Sequence, residues 1–156
     1  MKKQTATLAA GCFWHVQKAF SKIPGIIKTR VGYTGGTLKN PNYKEVSSGK
    51  TGHAEAIEIE FDSEKITFEK ILEIFWNIHN PTTLNRQGMD FGTNYRSAIF
   101  YHDEYQKDDA IRSRDKYQKK INNTIITEIT KVSKFYPAEE YHQNYLEKNK
   151  QATCHI

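Results

Sequence analysis

The chain has 156 residues, of which 37% are hydrophobic, 26% charged and 12% aromatic. That length suits one domain with one adequate core, and the composition excludes a disordered chain and a collagen-like fibre. The net charge of +5 raises the question of acidic partners, but the lysines are spread along the whole chain and no nucleic-acid signature occurs, so the charge reads as a solvated basic surface with no nucleic acid bound.

No apolar run approaches the roughly 18 residues that a membrane-spanning helix needs. The Ala-rich stretch from Ala6 to Gly11 is too short for a secretory core and is followed by Phe-Trp-His rather than a small-residue cleavage site. Cytoplasmic residence is expected, with no membrane association.

Thr5 to Gly11 reads as a first strand. From Cys12 the period becomes helical, with Phe13, Val16 and Phe20 on one face, until Ile23-Pro24-Gly25 breaks it. Ile26 to Tyr33 is a second strand, and residues 34–52, rich in glycine, read as a long irregular stretch of the kind that is usually functional. His53 to Asp62 alternates, placing His53, Glu55, Ile57, Ile59 and Phe61 on one face and Glu58, Glu60 and Asp62 on the other. Thr67 caps a helix that carries Phe68, Ile71, Leu72 and Phe75 and ends at about His79, before Asn80-Pro81. Residues 80–95 form a loop, Arg96 to His102 a strand, Asp103 to Lys120 a helix and Ile125 to Ser133 a last strand. A tail from about residue 134 holds a short helix at about Ala138 to Lys148. This order predicts an α+β fold: a single-domain two-layer sandwich over residues 1–156, with a mixed β-sheet core, packed helices and long irregular loops.

Two cysteines, Cys12 and Cys154, lie near opposite ends of the chain. In a reducing compartment such a pair is either two bystanders or a redox couple, and spacing alone does not choose. Cys12 sits at a strand-to-helix junction, where unpaired amides and the helix dipole lower a thiol pKa; position alone is equally consistent with a small thiol filling the turn. Phe13 and Trp14, which follow it, are able to form an apolar slot, although a helix Trp is more often core. Glu55 is the oddity of its strand, because the alternation places a carboxyl on the apolar face, where desolvation raises its pKa and suits it to act as a general acid. His53 is two residues earlier on that face. Tyr43 and Tyr95 offer phenols in or beside the loops, and Asp90 lies in the loop that leads to Tyr95. No C-x-x-C, H-E-x-x-H or regularly spaced His/Cys set occurs, so no metal is expected.

Taken together, several blocks resemble the peptide methionine sulfoxide reductase A family. They are Gly11-Cys12-Phe13-Trp14, Gly32-Tyr33-Thr34-Gly35-Gly36, Asn42-Tyr43 with Glu45-Val46, and Gly52-His53-Ala54-Glu55-Ala56. The likeness continues through His79-Asn80-Pro81-Thr82-Thr83, Asp90-Phe91-Gly92-Thr93-Asn94-Tyr95-Arg96-Ser97 and Ala138-Glu139-Glu140-Tyr141-His142-Gln143, and so covers nearly the whole chain.

The resemblance implies reduction of the S epimer of methionine sulfoxide, free or in a protein, without a cofactor. It implies that Cys12 attacks sulfur, that Glu55 protonates the sulfoxide oxygen, and that Tyr43, Asp90 and Tyr95 hold the oxygen and its water network. Phe13 and Trp14 would enclose the S-methyl group, with His53 as a further substrate-binding candidate. It further implies a sulfenic acid on Cys12, condensation with Cys154 to a disulfide, and recycling by thioredoxin. Some positions depart from the family pattern: His15, Gln17, Asn80, Met89 and Asn94 replace commoner residues, and Ser47 stands where some members carry another Cys. A monomer is expected. The competing readings are a thiol peroxidase or redox sensor, and a basic nucleic-acid-binding module.

Overall fold

The structure, a computed structural model, describes residues 1–151. It is an α+β fold around one six-stranded mixed sheet. The strands are β1 (Lys3–Ala10), β2 (Ile26–Thr34), β3 (Ala54–Asp62), β6 (Ser97–Tyr101), β7 (Glu128–Lys131) and β8 (Tyr136–Pro137), and a separate hairpin pairs β4 (Arg86–Gln87) with β5 (Asp90–Phe91). The sheet order is β7-β6-β1-β3-β2-β8, with every pairing antiparallel except β6 with β7. The helices are α1 (Phe13–Phe20), α2 (Tyr43–Ser47), α3 (Phe68–Asn77), α4 (Glu104–Gln118) and α5 (Tyr145–Lys148).

Strand alternation sorts the two faces. Leu8 pairs with Ile57 and Ile99, and Val31 also pairs with Ile57, so their side chains share a face with Ile59, Phe61 and Ala6. Against that face pack Phe13, Val16 and Phe20 of α1, Ile71, Leu72, Phe75 and Trp76 of α3, and Ala110 of α4. The opposite face is lined with small residues, Ala9, Ala54, Ala56 and Ala98, beneath Phe100, Val132 and Phe135. The second face of β3 is therefore buried at its Ala54–Ala56 end rather than polar throughout, because its small side chains let the segment around Phe135 lie close.

The strands and long helices expected from periodicity are present with shifted ends: β1 starts two residues before Thr5 and α3 stops at Asn77. The irregular stretches hold more order than expected. Within 34–52 lies α2, which is fixed by a reciprocal capping box in which the Asn42 side chain accepts from the Glu45 amide and Glu45 accepts from the Asn42 amide. Within 80–95 lie the β4–β5 hairpin and a 3₁₀ turn, Thr93–Tyr95. The expected tail helix is divided into a 3₁₀ turn, Glu140–His142, and α5, because Asn144 between them takes a left-handed conformation at φ 55°. That segment is firmly docked: Gln143 accepts from the Val31 amide and donates to the Val31 carbonyl, each at 2.9 Å.

Candidate active site

The end of β1, the start of α1, the first residues of β3 and the last of β2 converge at one end of the central strands. Gly11 makes the turn between β1 and α1 with φ +88°, and a Cβ there would stand 2.7 Å from Cγ of Gln87, so only glycine fits both the backbone and the neighbour. Cys12 then takes the N-cap position of α1 and is 9% exposed.

Glu55 enters from β3. It is 2% exposed, its Oε1 accepts from the Phe13 amide at 3.1 Å, and its Oε2 is buried without a hydrogen-bond partner among the described residues. Burial pushes its pKa up to about 8; the Phe13 amide opposes this and the negative charge of Asp90 adds to it. A carboxyl seated on the first amide of α1 is thus neutral near pH 7.

Glu55, Tyr43, Tyr95 and Asp90 stand close enough to feel one another electrostatically. Burial, reinforced by Glu55, holds both phenols above their ordinary range, so they remain O–H donors. Around Phe13 gather Tyr33 at 5.7 Å, Tyr43 at 6.5 Å and His142 at 5.3 Å between ring centroids. Trp14 stacks on Tyr145 at 3.8 Å and donates its indole N–H to Nδ1 of His142 at 2.9 Å. Cys12, Phe13, Trp14, Glu55, Tyr43, Asp90 and Tyr95 therefore form one neighbourhood, while Cys154 lies outside the described residues.

His53 is held by backbone groups. Its Nδ1 accepts from the Gly36 amide at 3.0 Å, its Nε2 lies 2.7 Å from the Leu38 carbonyl, and its ring meets Tyr136 edge-on at 5.6 Å. Both nitrogens are spent on backbone groups, so His53 fastens the loop after β2 and has no polar atom left to bind a substrate.

Conversely, the docked tail supplies residues to which the sequence alone assigned no role. His142 is 1% exposed, lies 4.4 Å from the Tyr43 ring, and keeps Nε2 unpartnered among the described residues. Because Nδ1 accepts from Trp14, Nε2 carries the ring proton. Glu139 accepts from the Tyr33 hydroxyl at 2.8 Å and from the Tyr43 amide at 3.0 Å, holding the start of α2 against β2. The aromatic density of the block from Tyr141 to Tyr145 is the signal in the sequence that marks this segment. Among the described residues no cluster of His, Cys, Asp and Glu is arranged to hold a metal ion.

The family model described as peptide methionine sulfoxide reductase matches residues 4–156. The chain belongs to that family. It is 58% identical over 147 residues to the peptide methionine sulfoxide reductase MsrA of Methanococcoides burtonii, an alignment that covers 93% of this chain and 96% of the relative. Its fold matches the solved methionine sulfoxide reductase A of Corynebacterium diphtheriae with a TM-score of 0.94 at 35% identity, covering 97% of this chain and 77% of that one. It also matches Mxr1 of Saccharomyces cerevisiae, solved in complex with Trx2, with a TM-score of 0.66 at 25% identity over 92% of this chain and 85% of that one. The archaeal relative and the Corynebacterium structure both carry the A designation in their names, in agreement with the resemblance drawn from the sequence blocks.

Proposed function

We propose that this chain, acting as a single cofactor-free domain, reduces the S epimer of methionine sulfoxide to methionine, with Cys12 as nucleophile and Glu55 as general acid. The observation that carries the reading is the Glu55 carboxyl, neutral at pH 7, with one oxygen on the first amide of the helix that Cys12 caps and the other unpartnered. A sulfoxide oxygen is a poor leaving group until protonated, so a thiolate needs a neutral acid within hydrogen-bond reach. Cys12 attacks sulfur while Glu55 delivers its proton to the oxygen. Tyr43 and Tyr95, held protonated by burial, donate to the same oxygen, and the charge of Asp90 helps to keep the Glu55 proton in place. Phe13 and Trp14 receive the S-methyl group, and the indole bond to His142 fixes the Trp14 ring.

Collapse of the adduct leaves methionine and a sulfenic acid on Cys12, which the Cys154 thiol condenses to a disulfide with loss of water. A thioredoxin then reduces that disulfide by exchange; the yeast relative solved with Trx2 supports such a partner. On this reading the chain acts as a cytoplasmic monomer on free and protein-bound methionine sulfoxide; no described helix is long and apolar enough to cross a membrane.

The test supplies purified protein and dithiothreitol with each epimer of a methionine sulfoxide derivative and follows the products by chromatography. The S epimer is consumed and the R epimer is left, and Cys12→Ser abolishes the reaction. Failure to reduce either epimer ends the reading, and activity above a tenth of wild type in Cys12→Ser moves the nucleophile elsewhere.

A further inference from the structure

The chain contains two methionines, Met1 and Met89, and Met89 is 75% exposed. Met89 and Gly88, which has φ +57°, form the two-residue turn of the β4–β5 hairpin, whose last pair is Gln87 with Asp90. The pair that closes this turn is anchored, through Gln87, beside the residue that precedes the nucleophile. Gln87, 2% exposed, lies against Gly11, and its side chain accepts from the Asn80 amide at 2.9 Å and donates to the Asn80 carbonyl at 2.5 Å. The tip is stiffened by Arg86, which donates to the Gly88 carbonyl at 2.9 Å and covers the Phe91 ring at 4.7 Å. A thioether thus stands exposed to solvent, next to Asp90 in sequence, on a turn that these bonds stiffen.

We propose that Met89 is a substrate of this same enzyme in trans: peroxide-class oxidants convert it to the sulfoxide, and the Cys12 site of a second copy restores it. The proposal rests on the reductase reading above. In the damaging step the thioether sulfur takes one oxygen atom from hydrogen peroxide and water leaves. In the repair step the sulfoxide passes that oxygen to Cys12 as a sulfenic acid and returns to the thioether. A thiol then condenses with the sulfenic acid, water leaves, and a dithiol reduces the resulting disulfide. A turn that protrudes on two residues lets the side chain enter another molecule's pocket without unfolding the hairpin. The enzyme is exposed to the oxidants whose damage it reverses, so a copy that is oxidised at Met89 is repaired by its neighbours.

The experiment uses an inactive Cys12→Ser chain, oxidised with hydrogen peroxide and freed of it, as substrate for active Met89→Leu enzyme with dithiothreitol. Mass spectrometry follows the peptide that carries Met89. About half of its sulfoxide disappears, because chemical oxidation gives both epimers and the enzyme takes one. Oxidised wild-type chain with dithiothreitol alone gives the same loss, at a rate that rises with its own concentration. Two outcomes overturn the proposal alone: a Met89 sulfoxide that persists while the Met89→Leu enzyme reduces a short peptide of the same turn sequence, and a wild-type rate independent of concentration, which means repair within one molecule. If the short peptide also survives, the reductase reading falls and the proposal falls with it.

Discussion

A carboxyl that keeps its proton through burial shifts the pH dependence of folding as well as of catalysis. Unfolded, Glu55 titrates near its ordinary 4.5, and folded it titrates at about 8. Between those values the native state holds a proton that the unfolded state has lost, so its contribution to stability is full below about 4.5 and is lost as pH rises to about 8. Glu55→Gln removes this titration, and its melting temperature relative to wild type is expected to climb from pH 5 to about pH 8 and to level off above it; a difference that does not change with pH would contradict the assigned burial. His79 acts at the other end. Burial holds it down to about 4, against an ordinary 6.5, so its contribution is present above 6.5 and lost as pH falls toward 4. Gln17 shows how a departure from the family pattern is absorbed. Its amide donates to the Thr29 hydroxyl at 3.2 Å and its carbonyl oxygen accepts from the Asn144 amide at 2.7 Å, a two-way role that a glutamate would fill only as acceptor. Glu55 was legible in the sequence because a carboxyl breaking an apolar alternation is a visible anomaly. For His53 the same rule gives a face and says nothing of the carbonyl and amide that meet its ring.

The elements that bring the site together are the short ones. The five residues of α2 and the two-residue strands β4, β5 and β8 have no room for a hydrophobic period, so they are specified by caps, turns and tertiary partners. The long strands and α3, which bury whole apolar faces, are readable from period, whereas α4, which buries Gln106, Ala110 and Ser113, is legible from its acidic start and basic end. The Asn42/Glu45 pair is a legible cap, but with one buried apolar residue, Val46, α2 has no hydrophobic period to accompany it. The docked segment from β8 to α5 depends on Gln143, whose side chain serves both backbone groups of Val31 as a strand would. Gln143→Ala leaves that amide unpaired, which costs about 1–3 kcal/mol, while the Val31 carbonyl keeps the Ala138 amide at 2.9 Å. The expected outcome is faster hydrogen exchange at the Val31 amide and a raised KM, because His142 loosens against Trp14 and Tyr43, with little change in the rate of Cys12 alkylation. Unchanged exchange at Val31 would show that the segment is held by its aromatic contacts alone.

For the whole molecule, reduction of the substrate and recycling of the enzyme are separate steps that use different cysteines. Cys154→Ser is expected to complete a first turnover at the wild-type rate and then stall with thioredoxin as reductant, while substrate-treated wild type yields a Cys12 to Cys154 disulfide in mass spectrometry. Normal cycling of the mutant with thioredoxin would make Cys154 a bystander. The central claim concerns the step before this, the delivery of a proton from Glu55 as Cys12 attacks sulfur. The most direct measurement is single-turnover reduction of the S epimer with enzyme in excess, across pH 6 to 10, in wild type and Glu55→Gln. The wild-type rate falls as pH rises through about 8, following loss of the Glu55 proton, and Glu55→Gln is slower by about 10²- to 10⁴-fold below pH 8 and does not show that fall. A Glu55→Gln enzyme with a near-wild-type rate and the same pH profile would contradict the account and leave the proton to Tyr43, Tyr95 or water.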